Sequence, residues 1–306
     1  MKRPELSIII PIYNEEECVH PLYEAICTAC EQGAYLYEIV FVDDGSQDRT
    51  FELLEKLHGQ DPRIHVVRFR KNFGQTAAMA AGFRAARGHV IVSMDGDLQN
   101  DPCDISILLA KIQEGYDVVC GWRKERKDKL LSRRLPSLIA NWLIGKITGV
   151  PIHDNGCSLK AFRSNVIKQV ALYSDLHRFI PAMATLAGAR ITELVVTHHP
   201  RRFGTSKYGI SRAWRVFLDL FVVKMVTGFS SRPALWFGML CLPAILLGFL
   251  SLLGMLLSEG SGIVWPTMAF LFFSLAGHLL VMGMLGEMIL YTGDYHSERM
   301  IVGTLS

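Results

Sequence analysis

Two long apolar runs near the C-terminus constrain this chain more than any other feature. Residues 233–257, PALWFGMLCLPAILLGFLSLLGMLL, contain no charged side chain, and residues 262–286, GIVWPTMAFLFFSLAGHLLVMGMLG, are interrupted only by His278. Each run is 25 residues long, and about 20 suffice for a helix to cross a bilayer. The SEGSG junction leaves room only for a tight turn. The pattern predicts a two-helix transmembrane hairpin. Over the whole 306 residues, 50% are hydrophobic and 20% charged, too apolar for an ordinary soluble domain and too charged for a wholly embedded one.

The flanking charges set an expected orientation. Glu259 lies in the connector, while Lys224 and Arg232 precede the first run and Arg299 follows the second. By the positive-inside rule both ends face the cytosol. The N-terminal MKRPELSIIIPIYNEE has too short an apolar run for a signal peptide. The expected location is therefore the inner (cytoplasmic) membrane, with two spans and a cytosolic N-terminal part. Seven cysteines, an odd number, suit a reducing compartment. The C-x-x-C of Cys27 and Cys30 has no second pair at zinc spacing and reads as ordinary helix.

Residues 1 to about 120 alternate between short apolar runs and helical patterns. The runs are LSIIIPI (6–12), EIVFVD (38–43), IHVVRF (64–69), HVIVSM (89–94) and DVVCG (117–121). Strands apolar throughout and separated by helices predict a mostly parallel, doubly wound α/β sheet. Ligands of such sheets sit at the carboxyl ends of the strands. The first strand ends in Tyr13, Asn14 and Glu15, the second in Asp43, Asp44, Gly45, Ser46 and Asp48, and the fourth in MDGDLQND. Helix capping accounts for Ser46 or Asp48 but not for Asp43, Asp44, Asp95 and Asp97 together.

Residues i and i+2 of a strand point the same way, so Asp95 and Asp97 are expected to converge past the strand end, with Gly96 permitting close approach. No G-x-G-x-x-G follows the first strand and no G-x-x-x-x-G-K-[ST] occurs. An acidic crevice without a glycine loop accepts a diphosphate only through a bridging cation. Mg²⁺ or Mn²⁺ with carboxylate and phosphate oxygens fits.

SIIIPIYNEEE, FVDDGSQD, FRKNFGQTAAMAAGF and MDGDLQNDP, in that order, resemble the inverting family 2 glycosyltransferases of GT-A type. With the hairpin, the chain is similar to the polyprenyl-phosphate glycosyltransferases: dolichol-phosphate mannose synthase, bactoprenol glucosyltransferases and undecaprenyl-phosphate aminoarabinose transferases. DNGCSLKAFR and FGTSKYG look closest to the aminoarabinose branch, and the Q-x-x-R-W of processive synthases is absent.

The resemblance implies a nucleotide-sugar site at Pro11, Tyr13, Glu15, one or both of Asp43 and Asp44, Asp95 and Gly96. It implies metal contacts at Asp95, Asp97 and Gln99, and a catalytic group comprising Asp95, Asp97 and Asp154. It further implies an acceptor-phosphate site at Arg123 and Lys207 with Arg201 or Arg202. The usual D-A-D-L-Q has Gly96 at its centre here, and the tail lacks the E-x-K-x-R-P ending frequent among relatives.

The second half reads physically as an interface for a charged lipid. Residues 123–134 carry seven basic and two acidic side chains and run into a stripe of Leu135, Leu138, Ile139, Trp142, Leu143 and Lys146. A basic segment joined to an apolar helical stripe is a membrane-surface element. RRFGTSKYGISRAWRVFLDLFVVK is a second. Asp154 lies in a loop, IHDNGCSLKAF, as a catalytic carboxylate or as a group that orients the acceptor, the sugar or an arginine. An ionised lipid phosphate needs no general base. His177, His198 and His199 read as loop or interfacial residues. His278 and Glu287 are intramembrane ionisable groups, explained by function or by packing.

The expected organisation is a nucleotide-sugar core over 1–122, an acceptor and membrane-interface region over 123–231, and a hairpin with a short tail over 232–306. The expected activity is transfer of one sugar, with inversion, from a nucleotide diphosphate sugar (uridine favoured) to a polyprenyl (undecaprenyl) phosphate. The expected partners are those two substrates, the membrane and a second copy of the chain, with no nucleic acid. The alternatives are transfer to another lipid hydroxyl with Asp154 as base, and a catalytically silent sugar-lipid binding partner.

Overall fold

The computed structural model describes residues 3–124, 141–142, 144–146, 148–170, 172, 176–185, 188–200, 232–257 and 262–292. The chain divides into two compact units, Met1–Val223 and Lys224–Ser306.

The first unit is built on a seven-stranded sheet. Its strands are β1 (Leu6–Ile12), β2 (Tyr37–Asp43), β3 (Ile64–Arg68), β4 (Val90–Ser93), β5 (Val118–Trp122), β6 (Lys160–Arg163) and β7 (Ile191–Val195). Their spatial order is β3-β2-β1-β4-β6-β5-β7. The five apolar runs of the first 122 residues all form strands. β6 and β7 come from beyond residue 122, so the sheet extends into the second half of the chain. β6 is the one antiparallel strand among them, wedged between β4 and β5. Parallel register places Ile12 beside Asp43 and Asp43 beside Arg68. The ends of β1, β2, β3 and β4 thus open on one edge.

Among the helices that cover the sheet are α1 (Val19–Gln32), α2 (Thr50–Gln60), α3 (Gln75–Ala85) and α4 (Ile105–Gln113). Strand periodicity divides the core by face. Ile8, Ile10, Ile39 and Phe41 pack with Leu22, Ile26, Leu54 and Leu108, whereas Ile9, Val40 and Val42 pack with Ala78, Met79 and Phe83. α3 lies close to the sheet because its residues are small; a Cβ at Gly82 would stand 2.3 Å from Ile9 Cγ2. At the opposite edge of the sheet, Glu38 is buried. It accepts from Ser7 Oγ at 2.6 Å, from the Arg87 backbone at 2.6 Å and from Arg87 Nε at 2.8 Å.

The second unit is a helical hairpin, α5 (Pro233–Leu257) and α6 (Val264–Thr292). Only 22% and 17% of their most apolar stretches are buried, which separates them from core helices of a soluble domain. Glycines line the seam: a Cβ at Gly248 would meet the Phe273 ring at 2.9 Å and one at Gly254 the Trp265 ring at 2.8 Å, the small-residue packing of helices that lack a hydrophobic driving force. Glu287 accepts from the Ala234 backbone N–H at 3.2 Å, a donor that the start of α5 leaves without a helical partner. His278 Nδ1 lies 2.8 Å from the Ser274 carbonyl one turn earlier. Packing and local bonding therefore account for contacts of both ionisable groups. The six cysteines of the first unit and Cys241 form no disulfide, and burial pushes Cys30 up to about 12.

Candidate active site

One side of the edge is a turn interlock. Asn14 takes φ +50°, a left-handed conformation that Asn tolerates better than most residues. Its N–H donates to Ser46 Oγ at 3.0 Å, and its Oδ1 accepts from the Gln47 N–H at 2.8 Å. The Glu15 N–H donates to Thr50 Oγ1 at 3.0 Å, and Asp48 Oδ1 accepts from the Thr50 N–H at 2.9 Å at the start of α2. Ser46 and Asp48 thus both serve the turn. A cavity of about 490 Å³ lies beside it, lined by Tyr13, Gly45, Ser46, Gln47 and the segment 68–72. That size falls in the range of small-ligand sites.

The two adjacent carboxylates that end β2 are used differently. Asp43 is fully buried; its Oδ1 accepts from the Ser46 N–H at 3.0 Å. Its Oδ2 accepts no hydrogen bond among the described residues, with Arg68 Nε 3.7 Å away. Asp44 spends both oxygens on the loop before α3: Oδ1 accepts from the Phe73 N–H at 2.7 Å and Oδ2 from the Gly74 N–H at 2.9 Å. Burial pushes the Asp44 carboxyl up, and these two amides pull part of the way back.

On the other side, β4 runs into the acidic loop. Leu98 takes φ +60°, unusual for a bulky side chain. Asp97 is buried and its Oδ1 accepts from the Gln99 N–H at 3.2 Å. Asp95 Oδ1 accepts from Gln75 Nε2 at 2.8 Å, and the Asp95 N–H donates to Asn100 Oδ1 at 3.2 Å. A Cβ at Gly96 would lie 3.2 Å from Ile12 Cγ1 and 3.4 Å from the Pro11 carbonyl, so this loop passes against the end of β1.

A short ladder then joins the loop to the segment after β7. The His199 N–H donates to Gln99 O at 2.9 Å, Gln99 Nε2 donates to His199 O at 3.3 Å, and Asn100 bridges His198. His199 Nε2 pairs with Asp101 at 3.0 Å. With its amide nitrogen so engaged, Gln99 keeps its side-chain oxygen as an acceptor. Among the described residues no three His, Cys, Asp or Glu side chains form a metal cluster. Two carboxylates and an amide oxygen instead suit a hard cation that completes its shell with phosphate and water.

The third component is an ion pair. Arg123, just after β5, grips Asp154 with two hydrogen bonds, Nε to Oδ2 at 2.7 Å and Nη2 to Oδ1 at 3.0 Å. Their side chains are 12% and 4% exposed. Burial lowers the Arg123 value, but the Asp154 hydrogen bond and nearby Cys157, Asp154 and Asp95 carry it above its ordinary range. Gly156 lies alongside, where a Cβ would be 3.5 Å from both partners. The loop is pinned from below by buried Lys160, whose ammonium donates to the carbonyls of Asn155 and Cys157. Ser158 Oγ ties it to Asn100 at 2.9 Å.

Tyr13, Asp43 and the Pro11 carbonyl therefore lie along the strand-end edge with the acidic loop, and Glu15 lies in the turn interlock. Arg201, Arg202 and Lys207, and the stripe residues Leu135, Leu138, Ile139 and Leu143, lie outside the described residues. Trp142 is exposed, with the Lys146 ammonium 5.0 Å from its ring centre. His177 Nδ1 lies 2.7 Å from Thr76 Oγ1 at the start of α3. Sequence reasoning passed over Gln75, Asn100 and Lys160. Gln75 stood inside a quoted motif, but nothing in its spacing announces a contact with Asp95.

The family model for glycosyl transferase family 2 matches residues 7–172. The dodecaprenyl-phosphate galacturonate synthase of Rhizobium johnstonii is 48% identical over 81% of this chain and 75% of its own length. The undecaprenyl-phosphate 4-deoxy-4-formamido-L-arabinose transferase of Pseudomonas fluorescens is 36% identical over 96% of this chain and 86% of its own. Among solved structures, a glucosyl-3-phosphoglycerate synthase from Mycobacterium tuberculosis, in complex with Mn²⁺, uridine diphosphate and phosphoglyceric acid, superposes with a TM-score of 0.57. It is 15% identical and covers 73% of this chain and 78% of its own, a likeness of fold alone. The chain belongs to glycosyl transferase family 2 and, within it, to the polyprenyl-phosphate glycosyltransferases.

Proposed function

We propose that the protein transfers one sugar, with inversion, from a UDP-sugar to a polyprenyl phosphate at the cytosolic face of the inner membrane. The observation that carries the choice of acceptor is the Arg123–Asp154 pair. A carboxylate gripped through both oxygens is a poor general base, so the arrangement suits a nucleophile that is already ionised. A lipid phosphate is one; a lipid hydroxyl is not.

In this reading Tyr13, Glu15 and Asp43 hold the nucleoside; the support is the cavity lined by Tyr13, Gly45 and Ser46, next to an Asp43 oxygen that accepts no hydrogen bond among the described residues. Mg²⁺ or Mn²⁺ held by Asp95, Asp97 and the Gln99 side-chain oxygen would supply positive charge beside the diphosphate. Gly96 lets that loop lie against the Pro11 carbonyl and Ile12. Asp154 orients Arg123, and Arg123, with Arg201 or Arg202 and Lys207, receives the acceptor phosphate. A phosphate oxygen attacks the anomeric carbon as the bond to the diphosphate breaks, and that electron pair leaves with the nucleotide. Inversion follows from attack on the opposite face. The hairpin and the exposed Trp142 hold the reaction at the lipid surface.

The test is a donor panel in detergent with Mg²⁺ or Mn²⁺, led by the UDP forms of galacturonate and of 4-formamido-arabinose, the sugars named for the relatives. Undecaprenyl phosphate and undecaprenol are offered side by side. Metal-dependent glycolipid from the phosphate alone is the expected result. Product from the alcohol, abolished by Asp154→Asn, would replace the phosphate by a hydroxyl acceptor and make Asp154 the base.

A further inference from the structure

Three consecutive residues at the start of α3 each reach a different part of the site. The Gly74 N–H, with that of Phe73, is held by Asp44 at the end of β2. Gln75 holds Asp95 at the end of β4. Thr76 meets His177, from the segment Leu176–Phe179 that follows the sheet's antiparallel strand. Gly74 takes φ +94° where the loop turns into the helix. The loop cannot drift without carrying Gln75 with it.

From this geometry we infer that Gln75 is a positioning residue for the Asp95 carboxylate, and that Asp44 sets Gln75 in place through the backbone of Phe73 and Gly74. Asp44 then acts on the metal site through that loop. The chemistry is explicit. Gln75 donates one N–H to Asp95 Oδ1, which fixes the rotation of that carboxylate and leaves Oδ2 for a cation. A carboxylate with a fixed rotamer gives up less freedom on binding metal, and outer-shell partners of metal ligands commonly contribute about 10- to 100-fold in affinity. Asp44 is suited to its part as an acid because two N–H donors need two acceptors; an amide has one oxygen and sets its NH₂ against the other donor.

The inference rests on the assignment of Asp95 and Asp97 to a divalent cation, and its test separates the two ideas. Mn²⁺ binding to the full-length protein in detergent with UDP is followed by the paramagnetic resonance signal of free Mn²⁺, and metal-free UDP binding by calorimetry. Gln75→Ala is expected to weaken Mn²⁺ binding about tenfold or more, with metal-free UDP affinity and Tm close to wild type. Gln75→Glu, which opposes two carboxylates, is expected to be worse than Gln75→Ala. Asp44→Asn is expected to reproduce the Mn²⁺ defect, and Asp43→Asn to weaken metal-free UDP binding instead. Wild-type Mn²⁺ affinity in Gln75→Ala overturns the role of Gln75. An Asp44→Asn variant that loses metal-free UDP binding and spares Mn²⁺ overturns the relay from Asp44. If neither wild type nor Asp95→Ala binds Mn²⁺, the metal assignment fails and the inference falls with it.

Discussion

Replacing Asp154 by Ala strands the Arg123 guanidinium, 12% exposed, with both hydrogen bonds of its fork unmade. Removing one partner of a buried ion pair costs about 3–5 kcal/mol. In a unit of the size of Met1–Val223, 1 kcal/mol moves Tm by about 2–4 °C, so a fall on the order of 10 °C is expected. Arg123→Met removes the same fork from Asp154. The double substitution removes both charges, so its loss is expected to fall short of the sum of the singles by about 2–3 kcal/mol. Thermal unfolding in detergent, followed by tryptophan fluorescence, reads all four proteins. Kinetics on Asp154→Asn adds the functional half: a rise in KM for the lipid phosphate of about tenfold, with the donor KM unchanged, marks a group that orients Arg123. Additive singles, or an Asp154→Ala protein as stable as wild type, would refute the buried pair. Loss of kcat at unchanged KM would refute its orienting role.

Gly45→Ala combines φ +72° with a Cβ 2.5 Å from the Lys71 carbonyl carbon. Left-handed strain of about 1–2 kcal/mol plus a backbone clash of about 1–3 kcal/mol is expected to lower stability and, by displacing the segment 68–72, to weaken UDP binding in calorimetry. Leu98→Ile keeps volume but puts a branched Cβ at φ +60°; a loss of about 1–2 kcal/mol in denaturant unfolding is expected, with a weaker Mn²⁺ response. For Glu38, burial pushes the carboxyl up, but the Ser7 and Arg87 hydrogen bonds outweigh it and hold the group below the ordinary range. Its stabilisation is therefore complete above the unfolded value of about 4.3 and is lost as pH falls through the lower folded value. Glu38→Gln is expected to be less stable at pH 7 by about 1–3 kcal/mol and to show a shallower acid slope; an unchanged slope would remove Glu38 from the acid response.

Strands that are apolar on both faces announce themselves, so β1 to β5 were readable within a residue or two at each end. β6 was not. KAFR is four residues long with a basic residue at each end, and only the tertiary fold buries Lys160 by giving its ammonium two carbonyls. The acidic strand ends could be read as a site because capping could not explain so many carboxylates. Their division of labour could not. Asp43 and Asp44 are adjacent and chemically identical, and what separates them is the loop at 73–74, some thirty residues on, that offers two N–H groups to one of them alone. Likewise the spacing of Arg123 and Asp154, on either side of an unrelated basic segment, carries no trace of their pairing.

The antiparallel strand has a consequence for when the site comes into being. As the chain leaves the ribosome, β4 exposes one edge until β6 is made, after the whole of 94–159, and the ladder from Gln99 and Asn100 to His198 and His199 waits longer still. Such non-local pairing is slow and leaves an unpaired edge exposed meanwhile. The carboxylate loop can therefore set only after residue 200 has emerged, shortly before the first apolar helix at Pro233. Maturation of the reaction centre and delivery of the chain to the bilayer are neighbouring events in synthesis, and a nascent chain stopped before the ladder closes would carry every motif of the first half yet no finished centre.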